Sequence, residues 1–453
     1  MACSSQCYLS LFLFLLALFF TLSSSHSITL SLSYPTKSTA IDSVWQQLRQ
    51  TAVARSGNIA STTPLFANSD GMYTFSLAFG TPTQYLMFAL VSGGVFTSFP
   101  CGANFLCVNC TIDPKDILIF KPDQSNTSSP VYCDNPLLSK TVSLDLVPVC
   151  TECISNDSCS NARAEYADDE GSVTMSGYIL SESLTLPELN HPTPDLLVGC
   201  ASESEGPPEG IGIAGFGRVP SSLPSQLNLT KFSHCFVLNT YEDNRNVSGA
   251  LVLTWGEEEE EDSRYTPLIK VTNETWENTG YLVNIEKIMV GGVKVEVPTE
   301  YLTVNETSGN GGMMVEAGYT ISVMVGRVFA SLAREFEKQV GKKYTRAVEM
   351  ENESSFYPCY YVKDSAMKGL PELGFHFEGG AELDMPLENY FEYFNESVIC
   401  MTIWSYGNET TTDALEGPAM VLGQRQMQNV YVDYDLANNR LGFFPKNCSQ
   451  GSY

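Results

Sequence analysis

The chain is 453 residues long, more than one hydrophobic core ordinarily organises, so two or more domains are expected. With 43% hydrophobic and 11% aromatic residues it has ample material to bury and reads as globular. Its 25 basic and 52 acidic side chains leave a formal charge of −27, which excludes nucleic acid and anionic membrane surfaces as partners, because both select clusters of Lys and Arg.

The opening segment, MACSSQCYLSLFLFLLALFFTLSSSHS, carries an uncharged apolar run from Tyr8 to Leu22 followed by small polar residues. It lacks a basic start, is short for a bilayer span and precedes no stop-transfer pattern. Residues 1–27 therefore read as a secretory signal peptide cut near Ser24 to Ser27, with an uncleaved anchor as the alternative. No later segment is long and apolar enough to cross a bilayer. The expected destination is extracellular space or cell wall, with the vacuole as the alternative and no membrane association after cleavage.

Residues 28–69 are polar, hold Lys37, Arg49 and Arg55, and include an amphipathic helical stretch, AIDSVWQQLRQTAVAR. A removable pro-segment has this character, and so does a simple N-terminal extension. From Gly71 the texture changes to short runs of strand length and strand chemistry: MYTFSLAFG, YLMFALV, SGYILSESLTL, GALVLTW, GYLVNIEKIMV, GGVKVEV, VYVDYDL and NRLGFF. One clear helix is predicted over VFASLAREFEKQV, residues 328–340, from apolar residues at three- and four-residue steps, and a shorter one over PSSLPSQL. The architecture is mostly β.

Beyond the signal the cysteines are Cys101, Cys107, Cys110, Cys133, Cys150, Cys153, Cys159, Cys200, Cys235, Cys359, Cys400 and Cys448. An even set in an exported chain predicts about six disulfides, with the connectivity open. Cys107/Cys110 and Cys150/Cys153 have the spacing of zinc ligands, but His26, His191, His234 and His376 lie beside neither pair, so no metal and no cofactor are expected. Asn-x-Ser/Thr sequons at Asn109, Asn126, Asn156, Asn228, Asn246, Asn273, Asn305, Asn352, Asn395, Asn408 and Asn447 suit a heavily glycosylated protein; Asn109 and Asn447, each followed by a cysteine, are the ones expected to be blocked. The run GEEEEEDS, residues 256–263, reads as a solvated loop between strands, with a docking site for a basic partner as the alternative.

A faint duplication points to a function. LVSGG at 90–94 and VEAGY at 315–319 are each an apolar strand entering a small-residue loop, and each is followed later by an apolar and glycine element, GIAGFGR at 212–218 and MVLGQRQ at 420–426. Together with FSLAFGTPTQ, the FPC that follows the first loop, EYADDEGSVTMSGYILSESLTL, LLVGCASES and VLGQRQMQNVYVDYDLANNRLGFFPKNC, the chain resembles the pepsin-like aspartic peptidases (family A1), in their plant nepenthesin-like branch. The resemblance implies a bilobal pepsin-like acid protease fold, two β-barrel-like lobes around a central cleft covered by a hairpin flap. The N-terminal lobe is assigned to 70–260, with a cysteine-rich insert at 101–159, and the C-terminal lobe to 261–453.

In active members of that family each lobe supplies an aspartate, and the pair shares one proton and one water. The ionised carboxylate takes a proton from the water and the protonated one polarises the peptide carbonyl. Carried over, the resemblance places Val91 at the first aspartate, Ser92 and Gly93 on the next two positions, and Gly94 in place of a hydroxyl residue. It places Glu316 at the second aspartate, Ala317 at a Ser or Thr, Gly318 on the glycine, and Tyr319 at a further Thr or Ser. Tyr166 fits the flap tyrosine; Asp168, Asp169 and Glu170 are flap carboxylates on the side opposite the floor. No catalytic pair is intact, so the expected function is that of a monomeric binding protein that holds a peptide or protein in its cleft or inhibits another secreted enzyme. A weakly active acid endopeptidase and a structural wall glycoprotein are the alternatives.

Overall fold

A computed structural model describes residues 26–32, 73–110, 112–131, 175–186, 193, 195–205, 210–241, 247–255, 264–272, 279–362, 369–407 and 415–450. The predicted signal peptide up to residue 25, the helical stretch at 40–55, the acidic run at 256–263, Cys133, Cys150, Cys153, Cys159, Tyr166, Asp168, Asp169 and Glu170 lie outside them. Among the described residues the chain is mostly β, with one long helix, Gly326–Val340.

The two halves repeat one plan, as the duplicated loops predict. In the first, strand Gln84–Val91 pairs in parallel with Gly212–Gly215, and Ser98–Pro100, which follows the loop, pairs antiparallel with that same strand. In the second, Met313–Val315 pairs in parallel with Met420–Leu422, and Ser322–Val325 pairs antiparallel with it. The residues between the first two strands of each set must arch over the end of the third, which lifts a loop out of each sheet. The first set belongs to a nine-stranded sheet and the second to a five-stranded one.

A six-stranded sheet joins the halves, in the order His26–Leu32, Gly249–Trp255, Lys231–Cys235, Val430–Asp435, Arg440–Pro445 and Tyr265–Pro267. Its central pair, Lys231–Cys235 against Val430–Asp435, takes one strand from each half. The Cys235–Cys448 disulfide closes the same junction across 213 residues. Cys101–Cys200, Cys107–Cys110 and Cys359–Cys400 are the other disulfides among the described residues. Cys107 and Cys110 are thus bonded to each other, and no group of ligand side chains suited to a metal occurs among the described residues.

Two predicted strands are interrupted for visible reasons. GYLVNIEKIMV breaks at Asn284 into Tyr281–Val283 and Ile285–Val290, which belong to different sheets. Asn284 is the pivot: its Oδ1 accepts from Val304 N at 2.8 Å and its Nδ2 donates to Glu378 Oε2 at 2.8 Å. GGVKVEV shrinks to Val293–Lys294 because Gly291 and Gly292, both at positive φ, form the hairpin turn. The short helix of PSSLPSQL covers only Leu223–Gln226.

The long helix starts two residues before its predicted bound and stops at Gly341, whose φ of 55° is costly for a side chain. It buries Val328, Phe329, Leu332, Ala333, Phe336 and Val340 on one face. Phe336 is fully buried and meets the rings of Tyr390 and Phe391 at 5.9 and 6.0 Å. Phe336→Ala should destabilise the fold by about 3–5 kcal/mol through the cavity it leaves, whereas Lys338→Ala, which removes an exposed side chain and its ion pair with Glu335, should stay within about 1 kcal/mol. Denaturant unfolding of the two variants checks the contrast, and equal losses would contradict this burial.

Candidate functional site at the meeting of the two loops

Each loop begins where a parallel strand pair ends. Val91 lies opposite Gly215, and its carbonyl accepts from Phe216 N at 2.9 Å and Gly94 N at 3.1 Å, which closes a tight turn. In the other half Val315 lies opposite Leu422, whose carbonyl accepts from Glu316 N at 3.0 Å, and Tyr319 N returns to Glu316 O at 3.3 Å. Gly217 packs against the first turn so closely that a Cβ on it would lie 2.8 Å from Gly94 O and from Thr279 O. A side chain there would push the halves apart.

The structure brings Val91, Ser92, Gly93, Glu316, Ala317 and Gly318 together. A Cβ added to Gly318 would lie 3.0 Å from Val91 Cγ1 and 3.1 Å from Glu316 Oε1, so the valine and the carboxyl face a common point. Glu316 is 4% exposed. Its Oε1 accepts from Gly318 N at 2.7 Å, within its own loop, and from Ser92 Oγ at 3.1 Å, across the junction. Its Oε2 lies against the first loop, where a Cβ on Gly93 would come within 2.3 Å, and the amides of Gly93 and Ser92 also donate to the carboxylate. The side chain, one methylene longer than aspartate, therefore spans both loops. Burial raises its pKa, and the hydrogen bonds from Gly318, Ser92 and Gly93 oppose that rise without cancelling it.

The rest of the expected constellation is apolar or lacks hydroxyls. Val91 is 5% exposed and packs with Met175, Ala201 and Ile213, against which Phe105 leans. A Cβ on Gly94 would lie 2.8 Å from Gly215 Cα and 3.2 Å from Val91 Cβ, so this backbone has no room for a hydroxyl side chain there. Ser92 Oγ accepts from Ala317 N at 2.7 Å and lies 3.1 Å from Val315 O. Ala317 has no hydroxyl with which to make the reciprocal tie. Tyr319 is half-buried and packs on the cluster of Val271, Leu282, Val304, Met314 and Val421.

Sequence reasoning missed the residues behind the loops. Gln424 donates to Ala317 O at 2.5 Å while its Oε1 accepts from Tyr73 N at 3.3 Å. Tyr281 donates to Phe216 O at 2.7 Å, and Arg218 donates to Ile269 O at 2.9 Å and Asn439 Oδ1 at 2.6 Å, ties that link the halves. Tyr434, on the strand Val430–Asp435 of the shared sheet, meets His234 Nε2 at 3.1 Å. The available signal was the spacing of Gln424, Gln426 and Gln428, all buried, in GQRQMQN: glutamines at alternate positions share one side of an extended segment and bond inward together.

Because the folded pKa of Glu316 lies above its unfolded value of about 4.3, its contribution to stability is complete below about pH 4 and is lost as pH rises through the folded pKa. Glu316→Gln cannot titrate. The stability of the native protein relative to this variant should fall as pH rises from about 4 and level off above the folded pKa, as measured by denaturant unfolding at a series of pH values. A difference that does not vary with pH, or that moves in favour of the native protein as pH rises, would contradict the environment described.

Comparison with known proteins agrees with this geometry. A family model described as xylanase inhibitor N-terminal matches residues 73–253, and one described as xylanase inhibitor C-terminal matches residues 280–445. The chain is 26% identical over 414 residues to aspartic proteinase nepenthesin-1 of Nepenthes gracilis, covering 90% of this chain and 85% of that protein. It is 28% identical over 434 residues to a probable aspartyl protease of Arabidopsis thaliana, covering 85% and 84%. Among solved structures, edgp shares the fold with a TM-score of 0.63 at 16% identity, covering 93% of this chain and 95% of that one. Basic 7S globulin from soybean does so with a TM-score of 0.61 at 16% identity, covering 94% and 99%. With two repeated halves, paired loops at their junction and relatives along most of its length, the chain belongs to the pepsin-like aspartic peptidase family, in its plant nepenthesin-like branch.

Proposed function

We propose that this protein is a secreted glycoprotein of aspartic-peptidase build that binds a peptide or protein without cutting it, or inhibits another secreted enzyme. The observation that carries the reading is the facing of Val91 and Glu316. Peptide hydrolysis on this scaffold needs one carboxylate to activate water and a second, protonated carboxyl to polarise the carbonyl. Val91 can neither accept nor donate a proton. Glu316 already accepts from donors of both loops, so few of its lone pairs are left to take hold of a water. Each positioned acid or base is worth about 10²–10⁴ in rate, and loss of one member of a cooperative pair removes most of the effect.

The inhibitory version is supported by the matched family models, which are described as those of a xylanase inhibitor. The competing reading, a weak acid endopeptidase, is favoured by relatives named as proteinases over most of this chain. It would have to work through Glu316 alone.

Hydrolysis of a denatured protein between about pH 3 and about pH 6, with and without pepstatin, separates the readings. No pepstatin-sensitive cleavage is expected. Cleavage at ordinary enzymatic rates, about 1–10³ s⁻¹, that disappears in Glu316→Ala would overturn the binding reading. Val91→Asp combined with Glu316→Asp should still fall at least about 10²-fold short of an active relative, because Gly94 and Ala317 supply no hydroxyls to orient the restored acids.

A further inference from the structure

The six-stranded sheet that joins the halves has two edges of opposite character. One is Tyr265–Pro267, a three-residue strand that ends on a proline and follows the exposed Arg264. A short edge with a proline and a charge beside it is a poor template for further strands. The other edge would be Gly249–Trp255, GALVLTW, seven residues with neither a charge nor a proline. Left bare, it would offer alternate N–H and C=O groups along an apolar strand, which invites pairing with other chains. What covers it is His26–Leu32, antiparallel through register pairs that run from His26 opposite Trp255 to Leu32 opposite Gly249.

The register is written into both sequences. In HSITLSL apolar and polar residues alternate, and the pairing sets Ile28 opposite Leu253 and Leu30 opposite Leu251, both leucines being fully buried. Ser27, Thr29 and Ser31 fall opposite Thr254, Val252 and Ala250. A slip of one residue would set serine and threonine against the two leucines. On the next strands inward the same rows hold Phe232 and His234, then Tyr434 and Val432, so the pairing extends rows that cross the junction of the halves. We propose that residues 26–32 are a permanent strand of the mature protein, the signal peptide being cut near Ser24 to Ser27 and no pro-segment being removed after it.

A pro-segment that is to leave must have its place taken by another strand, or vacate a place that tolerates being empty. Among the described residues no second strand lies along this edge. Emptiness is opposed by the strand beneath, where Ala250, Leu251 and Leu253 are fully buried and the backbone groups turned towards His26–Leu32 would lose their partners. It is opposed again by position, since Gly249–Trp255 pairs directly with Lys231–Cys235, which carries the contact with the other half. Removal of a pro-segment also serves to release something held back, and the facing of Val91 and Glu316 leaves no acid pair to restrain. That last step rests on the binding reading; the strand pairing does not.

Amino-terminal sequencing of the folded protein from its native source tests the proposal directly. The chain should begin between Ser25 and Ile28; a folded, soluble protein that begins beyond Leu32 overturns it. Amide hydrogen exchange on that same protein supplies a second readout. The amides of Gly249–Trp255 that turn away from Lys231–Cys235 should exchange as slowly as those that turn towards it, and fast exchange of that outer set overturns the proposal as well. In an antiparallel edge strand one of any two successive residues points its N–H into the ladder, so Thr29→Pro together with Leu30→Pro breaks the pairing. The double variant should lose protection of the outer set while Ser322–Val325, in the five-stranded sheet, keeps its own. Unchanged protection of the outer set in that variant contradicts the proposal. None of these readouts involves ligand binding or hydrolysis, so a failure here is distinguishable from a failure of the binding reading.

Discussion

The junction of the two halves turns on one carboxylate that accepts hydrogen bonds from both loops at once. Each loop presents a glycine amide, Gly93 from the first and Gly318 from the second, and a buried N–H left without an acceptor is costly. Here Glu316 reaches Gly318 within its own loop and Ser92 and Gly93 in the opposite one. The extra methylene gives the side chain that reach, and Val91 fills the remaining volume with methyl groups where a second charge would have to be desolvated.

The framework around this carboxylate does not depend on chemistry being done there. The shared sheet, the Cys235–Cys448 bond, the Tyr281 tie to Phe216, the Arg218 ties to Ile269 and Asn439 and the Gln424 bridge between Tyr73 and Ala317 all hold the halves in register. None of them is a proton-transfer group. A scaffold that pre-organises two loops for catalysis also holds a rigid junction when the acids are gone, and rigidity lowers the entropic cost of binding. That is the physical basis for treating a peptidase fold as a binding framework.

Much of this was legible in the sequence because strands and loops announce themselves locally. The alternating runs gave most of the strand positions, and the two glycine loops 225 positions apart, at Val91 and Glu316, implied the repeated plan seen in the parallel pairs Gln84–Val91 with Gly212–Gly215 and Met313–Val315 with Met420–Leu422. What the sequence could not show was reach. Nothing in VEAGY tells that Glu316 crosses to Gly93, because the distance is fixed by how two sheets meet. The roles of Gln424, Tyr434 and His234 were hidden for the same reason, since their partners lie more than a hundred residues away in sequence and hydrophobic periodicity carries no information about side-chain bonds. Asn284 broke a predicted strand because its bonds to Val304 and Glu378 come from distant parts of the chain.

The account rests on a lone acid at this junction, and a high-resolution crystal structure grown at acidic pH tests that most directly. It should show the Glu316 carboxyl bonded to Gly93 and Gly318, with Val91 methyls opposite. A solvent molecule held jointly by Glu316 and a second carboxyl, from Asp168, Asp169, Glu170 or elsewhere, would contradict it.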